Sequence, residues 1–410
     1  MDTGAEIAHA PATAARRPGA AAGLVLVAVV VFGFAVNTAV RMPCYDVCGS
    51  DIARLYQDRG IDRAHAPYFS RDLEYPPLIG LVMYAAVLPF DHGLRNPFLV
   101  NALVLTALAA VATWVLWRRN GRRAWRWALA PPLLLEGLTN WDLLSVATAT
   151  IGLVVWENGY AFSAGVLLGI GAAAKLFPAL YVPILAATSF GRRRRNQGAS
   201  VIAGAIIGLG VFAVPVYTIA PHALRYLVEF HGDRGPDRGS LWYFVVRGPS
   251  LHPWLGTDAV RHLVTVVPAA LLVAALGALT VKALRGRISP FAACALVTIA
   301  CLLVSKIYSP QYDLWIVPFF VLLPVPRKLV VHFYVASFLV WGMTATDDHA
   351  IHRPASGYLL GLAVLYRFVV LVFVAITILR DERAPAAATP VIVLPAYDES
   401  AQSSLTQTAR

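Results

Sequence analysis

The residues best suited to chemistry lie in short polar segments between long apolar runs. These segments hold carboxylates, amides, phenols and cations: Asp46 and Asp51; Glu74 and Tyr75; Asn140 and Asp142; Lys175; Arg234 and Arg238; Lys306, Gln311 and Tyr312. An ionisable group at membrane depth is costly unless it is paired or faces a polar cavity. A set of carboxylates and cations on one side of a membrane therefore favours one shared cavity over several independent ion pairs.

Lys175 and Lys306 have the clearest pattern, because each follows an apolar helix and precedes a turn that contains proline. A lysine in this position can extend to the lipid headgroups. It can equally hold the phosphate of a lipid, a role that needs a fixed cation at that depth. Both interpretations stay open at this point.

The acidic and amide residues also have simple structural explanations. Asp51 begins the helix predicted for SDIARLYQDRG, where an aspartate is often a cap. Glu74 precedes two prolines and can anchor a helix at the interface, whereas Asn140 and Asp142 can cap the helix that follows them. Asp46 lies in a polar loop and can be merely solvated.

The histidines and cysteines give weaker signals. His231, His349 and His352 do not have the spacing of metal ligands, so we predict no metal ion and no cofactor. Four cysteines are too few for a disulfide scaffold. Cys44 and Cys48 can pair if their loop is extracytoplasmic, and two unpaired thiols are an equal alternative.

The composition places the chain in a membrane. Apolar residues make up 58% of the 410 positions and charged residues only 14%, with a mean hydropathy of +0.64. Soluble domains have about a quarter charged residues, so this chain lacks the polar surface to cover a globule in water. The net charge of +11 comes from short arginine clusters, which is typical of cytoplasmic loops and not of a nucleic-acid groove. We predict an all-α polytopic membrane protein without a nucleic-acid partner.

The basic clusters also predict the topology. They lie at residues 16–17, 118–126, 192–195, 282–287, 327–328 and 380–383, and placing all of them in the cytoplasm requires an even number of spans between neighbours. Three apolar runs separate the first two clusters, at 22–40, 76–90 and 98–117. The middle run is short and flanked by prolines, so we predict a helix in the outer interface and a large outer loop at 41–97.

The remaining runs complete about twelve transmembrane helices. Further spans are predicted at 127–140, 142–156, 161–174, 178–190, 199–219, 259–283, 290–306, 313–325, 329–345 and 358–379, with a second outer loop at 220–258. Residues 1–21 are predicted to be a cytoplasmic leader, 22–380 the transmembrane domain, and 381–410 a disordered cytoplasmic tail. All the polar segments named above then face outward.

The order of the motifs resembles that of glycosyltransferase family 87 in the GT-C superfamily. The motifs are SDIARLY, PYF, EYPPL, NWDLL, GAAAKLFPAL and KIYSPQYDLWIVP, in this order between residues 22 and 380. The resemblance implies a GT-C-like helical bundle with interfacial helices in the first outer loop. In one departure from the family pattern, Arg234 is followed by GPDRGSLW, so the choice between Arg234 and Arg238 as a donor ligand stays open.

The resemblance also implies a reaction. The donor would be a polyprenyl-phosphate sugar, with mannose expected, and the acceptor a glycolipid or glycan of the cell envelope. In an inverting transfer a carboxylate takes the proton of the acceptor hydroxyl. Asp51 matches the family's loop aspartate, with Asp46 in reserve. The remaining candidates divide into phosphate ligands and sugar or acceptor ligands: Lys306, Lys175, Arg234, Arg238, Gln311 and Tyr312 for phosphate; Glu74, Tyr75, Asn140 and Asp142 for sugar and acceptor.

Three alternatives compete with this interpretation. A transporter or flippase of a lipid-linked sugar would place its charges near the bilayer midplane on broken helices, and the sequence shows no matching pair of these. Another GT-C activity would differ only in the sugar. A non-catalytic assembly partner would not need Asp51 and Lys306 together. A nucleotide-sugar donor is disfavoured, because there is no soluble Rossmann-type domain or DxD carboxylate pair.

Overall fold

The computed structural model describes residues 18–44, 50–63, 65–90, 93–247, 258–347 and 354–382. In these ranges the secondary structure is helical, apart from an isolated bridge between Pro67 and Arg71. Predictions about Asp46, Cys48, His349 and His352 lie outside the described residues, as do those about nearly all of the leader and the tail. Whether Cys44 pairs with Cys48 therefore stays open, and the domain boundaries stay a prediction.

Seventeen α-helices follow one another along these ranges. They are α1 Ala20–Arg41, α2 Asp51–Asp58, α3 Pro77–Val87, α4 Arg95–Asn120, α5 Trp125–Ala128, α6 Pro131–Glu136, α7 Asp142–Glu157, α8 Ala161–Ala174, α9 Tyr181–Gly191, α10 Arg195–Ile219, α11 Pro221–Asp233, α12 Leu241–Arg247, α13 Asp258–Leu284, α14 Pro290–Val304, α15 Val317–Leu322, α16 Arg327–Asp347 and α17 Pro354–Asp381. Short 3₁₀ turns lie at Met42–Cys44, Ile61–Arg63, Gly121–Ala124, Phe177–Leu180 and Pro310–Trp315.

The long apolar helices make this a multi-pass membrane protein. Five segments of the described chain are long and apolar enough to cross a bilayer: Ala20–Arg41, Arg95–Ala128, Arg195–Ile219, His262–Leu284 and Gly357–Asp381. Shorter apolar helices lie at Pro77–Val87, Ala161–Ala174, Phe177–Gly191 and Pro290–Val304. The predicted all-α polytopic fold is confirmed, and each of the twelve predicted spans falls on helical structure.

Two predicted spans are broken rather than continuous. The span predicted at 127–140 consists of α5 and α6, and the span at 313–325 consists of the 3₁₀ turn Pro310–Trp315 and α15. Prolines occupy the start of α6, of the 3₁₀ turn and of α15. Proline has no backbone N–H and fits the first turn of a helix but not its interior, which explains the breaks. The two broken segments pack against each other.

The two large loops of the chain contain short helices of their own. The first, between α1 and α4, holds α2 and α3, and the second, between α10 and α13, holds α11 and α12. The 11 residues of α3 extend about 16 Å, which is roughly half the hydrocarbon thickness of a bilayer. This length agrees with a helix that does not cross. α3 packs on α4, α8 and α10.

Glycines allow α8 and α10 to pack backbone to backbone. A Cβ atom at Gly204 would lie 2.2 Å from the carbonyl oxygen of Phe162, and one at Gly169 would lie 2.3 Å from that of Ala205. Small residues at such contacts let transmembrane helices approach closely. The close pair fixes the position of the C-terminal end of α8, where Lys175 follows.

Candidate active site

A cavity of about 1310 Å³ opens where the two loops meet the ends of α8, α10, α13 and α14. Nine of the twelve predicted site residues line it: Asp51, Glu74, Tyr75, Lys175, Arg234, Arg238, Lys306, Gln311 and Tyr312. Asn140 and Asp142 are buried behind its wall, each 1% exposed. Asp46 lies outside the described residues. Asp51 and Lys306, far apart in sequence, thus face one cavity.

Asp51 is the first residue of α2. A backbone hydrogen bond joins this end of α2 to the turn after α6. The Asp51 backbone N–H donates to the carbonyl oxygen of Thr139 at 2.9 Å. Its carboxylate accepts a hydrogen bond from Arg54 Nη2 at 2.8 Å, and the side chain is 22% exposed. The carboxylate is therefore fixed at the cavity wall and is still accessible.

Lys175 is held by a carboxylate and two aromatic rings. Lys175 follows α8 with an extended backbone, and its ammonium forms an ion pair with Asp142. Its Nζ lies 4.4 Å from the ring centre of Tyr312 and 5.6 Å from the ring centre of Tyr75. Asn140 accepts a hydrogen bond from the Asp142 backbone N–H at 2.9 Å, in the turn that precedes α7. The charge of Lys175 is thus already balanced within the protein.

Lys306 differs from Lys175 in its partners. Its Nζ donates to the Gly232 carbonyl at 2.8 Å and to Thr265 Oγ1 at 2.9 Å. Both of these acceptors are uncharged, and the residue is 8% exposed. The Lys306 carbonyl in turn accepts from the backbone N–H of Asp237 at 2.9 Å. Lys306 therefore connects the end of α14 to α11 and α13 and presents a positive charge to the cavity.

The second loop brings two arginines to the cavity. Arg234 ends α11, is 42% exposed, and has its Nη2 3.8 Å from Asp237 Oδ2. The Asp237 carboxylate also accepts a hydrogen bond from the hydroxyl of Ser309. Arg238 lines the cavity as well. Both arginines are placed to reach a ligand, so the alternative left by the sequence stays open.

Glu74 joins the two loops. Arg59 Nη2 donates to its carboxylate at 2.8 Å, and its carbonyl oxygen lies 3.0 Å from His231 Nε2. Burial opposes the charge of Arg59, but Glu74 and Tyr226 together outweigh this effect and the pKa of Arg59 is raised. Burial lowers the pKa of His231 and favours its neutral form. These contacts hold α11 against the start of α3.

Among the cavity residues that the sequence did not predict, two charged ones lie at helix ends. Arg41, at the end of α1, and Glu136, at the end of α6, both line the wall. Glu136 stands alone in the apolar run PPLLLEG, and an ionisable residue inside a predicted span is itself a signal of a functional site. The signal was therefore present in the sequence.

A buried network beside the cavity was also missed. Arg367 Nη1 lies 3.3 Å from each carboxylate oxygen of Asp313, and its Nη2 donates to the Gly239 carbonyl at 2.6 Å. Tyr308 donates from its hydroxyl to Asp313 at 2.6 Å and places its ring 3.7 Å from the Arg367 guanidinium carbon. The network fastens the second loop to the turn that carries Gln311 and Tyr312.

Much of the remaining cavity wall is apolar. Side chains from α10, α11, α13 and α14 form this part of the wall, including Leu209, Ala213, Leu224, Leu227, Val264, Pro268, Leu272 and Val304. A cavity with cations at one place and an apolar wall next to it suits an amphiphile with an anionic head. A carboxylate in the same cavity is able to accept a proton from a second molecule.

The family comparison agrees with this arrangement. The model of glycosyltransferase family 87 matches residues 73–310, more than half of the chain. The chain belongs to glycosyltransferase family 87. The resemblance drawn from the motifs is thereby confirmed, and the cavity is that of a membrane glycosyltransferase. The family 87 match includes Glu74, Lys175 and Lys306, whereas Asp51 precedes it and Gln311 follows it.

Solved structures give a more distant similarity. This family 87 chain is similar to ArnT from Cupriavidus metallidurans in the apo state, with a TM-score of 0.43 and 15% identity over 88% of this chain and 78% of that chain. It is also similar to ArnT bound to undecaprenyl phosphate, with a TM-score of 0.41 and 14% identity over 88% and 76%. A comparison with curated proteins gave no match.

Proposed function

We propose that this family 87 glycosyltransferase transfers a sugar, expected to be mannose, from polyprenyl phosphate to a hydroxyl of an envelope glycolipid or glycan. One observation carries the proposal: a single cavity combines the Asp51 carboxylate, several cations and an apolar wall. The cations suit the phosphate, the apolar wall suits the first isoprene units, and the carboxylate suits the acceptor hydroxyl.

Lys306 is the proposed main ligand of the donor phosphate. Its two hydrogen bonds go to uncharged acceptors, whereas the charge of Lys175 is balanced by Asp142. Arg234 or Arg238 would add a second contact. Positive charge placed next to the phosphate stabilises the transition state, because negative charge grows there as the sugar leaves.

Asp51 is the proposed general base. The acceptor oxygen forms a bond to the anomeric carbon while the bond from that carbon to the phosphate oxygen breaks. The acceptor's proton passes to the Asp51 carboxylate, and polyprenyl phosphate leaves with one additional negative charge. Attack from the side opposite the leaving group inverts the anomeric configuration.

We place the cavity on the extracytoplasmic side and both termini in the cytoplasm. The support is the distribution of the arginine clusters along the sequence, because such clusters are typical of cytoplasmic loops. Cysteine labelling of Gly93→Cys and Gly121→Cys in intact cells tests this topology. We expect the first position to react with a membrane-impermeant maleimide and the second to stay protected, and equal labelling of both would overturn it.

A transfer assay tests the reaction. The purified full-length protein is incubated with polyprenyl-phosphate-[¹⁴C]mannose and a membrane lipid extract, beside Asp51→Asn and the control Asp58→Asn. Asp58 ends the same helix and is not among the residues that line the cavity. We expect Asp51→Asn to lose about 100-fold or more in kcat, which is the contribution typical of a general base, and Asp58→Asn to keep the wild-type rate. Full activity of Asp51→Asn would refute the assignment.

The broken helices favour one other function. Broken segments such as those formed by α5 with α6 and by the 3₁₀ turn with α15 are a feature of transporters, so movement of a lipid-linked sugar is the second candidate. A transporter leaves the bond between sugar and phosphate intact. Release of free polyprenyl phosphate in step with the labelled product supports transfer, and movement of intact donor across a liposome without release supports transport.

A further inference from the structure

The part of the cavity wall nearest α1 and α6 has a different character from the rest. Its side chains are polar: Arg41, Ser50, Glu136 and Thr139, next to Asp51. The apolar wall lies on α10, α11, α13 and α14, and the cations Lys306 and Arg234 lie on that side as well. The Asp51 carboxylate therefore adjoins a recess that offers neither an apolar surface for a lipid chain nor a cluster of cations for a phosphate.

The recess has a rigid construction. Arg41 Nη2 donates to the Leu135 carbonyl at 3.0 Å and to Thr139 Oγ1 at 3.1 Å, and its Nε donates to Asn37 Oδ1 at 2.8 Å. Asn37 Nδ2 also donates to the Leu135 carbonyl at 3.2 Å. These bonds attach α1 to the C-terminal end of α6 and fix the guanidinium at the wall.

The same turn holds the proposed base. The Thr139 carbonyl oxygen accepts a hydrogen bond from the Asp51 backbone N–H at 2.9 Å, and Ser50 Oγ donates to the Leu138 carbonyl at 3.3 Å. Glu136, three residues before Thr139, is 4% exposed and still reaches the cavity. A ligand in the recess would therefore lie directly beside the Asp51 carboxylate.

The groups of the recess match the chemistry of a sugar ring. Every sugar hydroxyl both donates and accepts hydrogen bonds. The Glu136 carboxylate only accepts when ionised, the Arg41 guanidinium only donates, and the Thr139 hydroxyl does both. The two oxygens of the Glu136 carboxylate are thus able to accept from two neighbouring hydroxyls at once, and bonds to charged groups are stronger than bonds between neutral ones.

We propose that the recess of Arg41, Glu136 and Thr139 is the acceptor subsite and that it binds the uncharged, polyhydroxylated ring of the acceptor. The inference rests on the proposed function, in which Asp51 receives the acceptor's proton. Glu136 orients the ring by accepting hydrogen bonds from hydroxyls that do not react. The reacting hydroxyl of the same ring then points to Asp51, with the donor phosphate on the side of Lys306.

Kinetics of Glu136→Gln test the subsite. The substitution keeps the size of the side chain and removes its charge. With polyprenyl-phosphate-mannose as donor, the acceptor probes are octyl α-mannoside and a membrane lipid extract. We expect the acceptor KM of Glu136→Gln to rise about tenfold or more, since a hydrogen bond to a charged group is lost, while the donor KM stays at the wild-type value.

Two further variants keep the test decisive. Glu157→Gln is the control, because Glu157 pairs with Arg119 at the other end of α7 and does not line the cavity. Thr139→Val removes one hydroxyl and is expected to raise the acceptor KM about threefold, even if Glu136→Gln proves unstable. The subsite is refuted if both cavity variants keep the wild-type acceptor KM or if the donor KM rises equally. Wild-type protein that transfers sugar to neither probe refutes the proposed function itself.

Discussion

The ion pair of Arg367 and Asp313 is the strongest test of how the site is held in place. The two side chains are 1% and 0% exposed, so neither charge has access to water. In Arg367→Met, Asp313 keeps only the hydroxyl of Tyr308 at 2.6 Å, and the Gly239 carbonyl loses its donor at 2.6 Å. The substitution therefore leaves a buried charge and a buried carbonyl without adequate partners.

The expected magnitude follows from this loss. Removal of one partner from a buried ion pair costs about 3–5 kcal/mol, mostly because the remaining charge stays desolvated. Removal of both charges is far less costly, since uncharged side chains of similar size often replace a buried pair with little loss. We therefore expect Arg367→Met with Asp313→Leu to recover at least half of the stability that Arg367→Met alone has lost.

Thermal unfolding in detergent, followed by tryptophan fluorescence, measures this effect. The expected order of Tm is wild type, then the double variant, then Arg367→Met. Arg380→Met is the control, because Arg380 lies on the same helix and is exposed. A Tm for Arg367→Met equal to that of the control would show that the pair does not stabilise the fold. A double variant no more stable than the single one would show that the two charges are not coupled.

Three further predictions concern close contacts and the link between the loops. Gly204→Ala would place a Cβ 2.2 Å from a backbone oxygen of α8 and is expected to lower the stability measured by thermal unfolding by about 1–3 kcal/mol. The control Gly277→Ala has open space around its Cβ and is expected to leave the stability unchanged. Gly239→Ala would place a Cβ 2.1 Å from another backbone oxygen, so we expect the second loop to shift and the donor KM to rise several-fold. Glu74→Gln weakens a partly exposed pair with Arg59 and is expected to change stability by less than about 1 kcal/mol while reducing the rate of transfer. A large loss of Tm with an unchanged rate of transfer would assign Glu74 a purely structural role.

The multi-pass helical fold was readable from the sequence because it depends on properties of whole segments. Hydropathy is averaged over a window of residues, and the excess of arginine is counted over whole loops. A single atypical residue therefore changes neither signal. The parity of the spans required that one of three runs does not cross. The short length and flanking prolines of the middle run selected the segment that became α3, which has 11 residues. The breaks in two of the spans were not predicted, although prolines at Pro131 and Pro318 marked them.

The site was readable only in part, because pairing is a property of the folded chain. The sequence selected Lys175 and Lys306 by the same pattern, but the fold gives one a carboxylate partner and the other uncharged acceptors. No sequence spacing relates Arg367 to Asp313, which are 54 residues apart. Glu136 was detectable by type, but its closeness to Asp51 arises only when α2 is attached to the turn after α6.

The two halves of the cavity are built on different helices, and this separation has a consequence for catalysis. The polar recess depends on α1 and α6, whereas the apolar wall and Lys306 depend on α11, α13 and α14. Asp51 is the one proposed catalytic group on the border between them. A transferase must hold two substrates at once without letting either occupy the place of the other. In the proposed reaction the polar half would bind the acceptor ring and the apolar half the donor lipid, so the Asp51 carboxylate would lie where the two substrates meet.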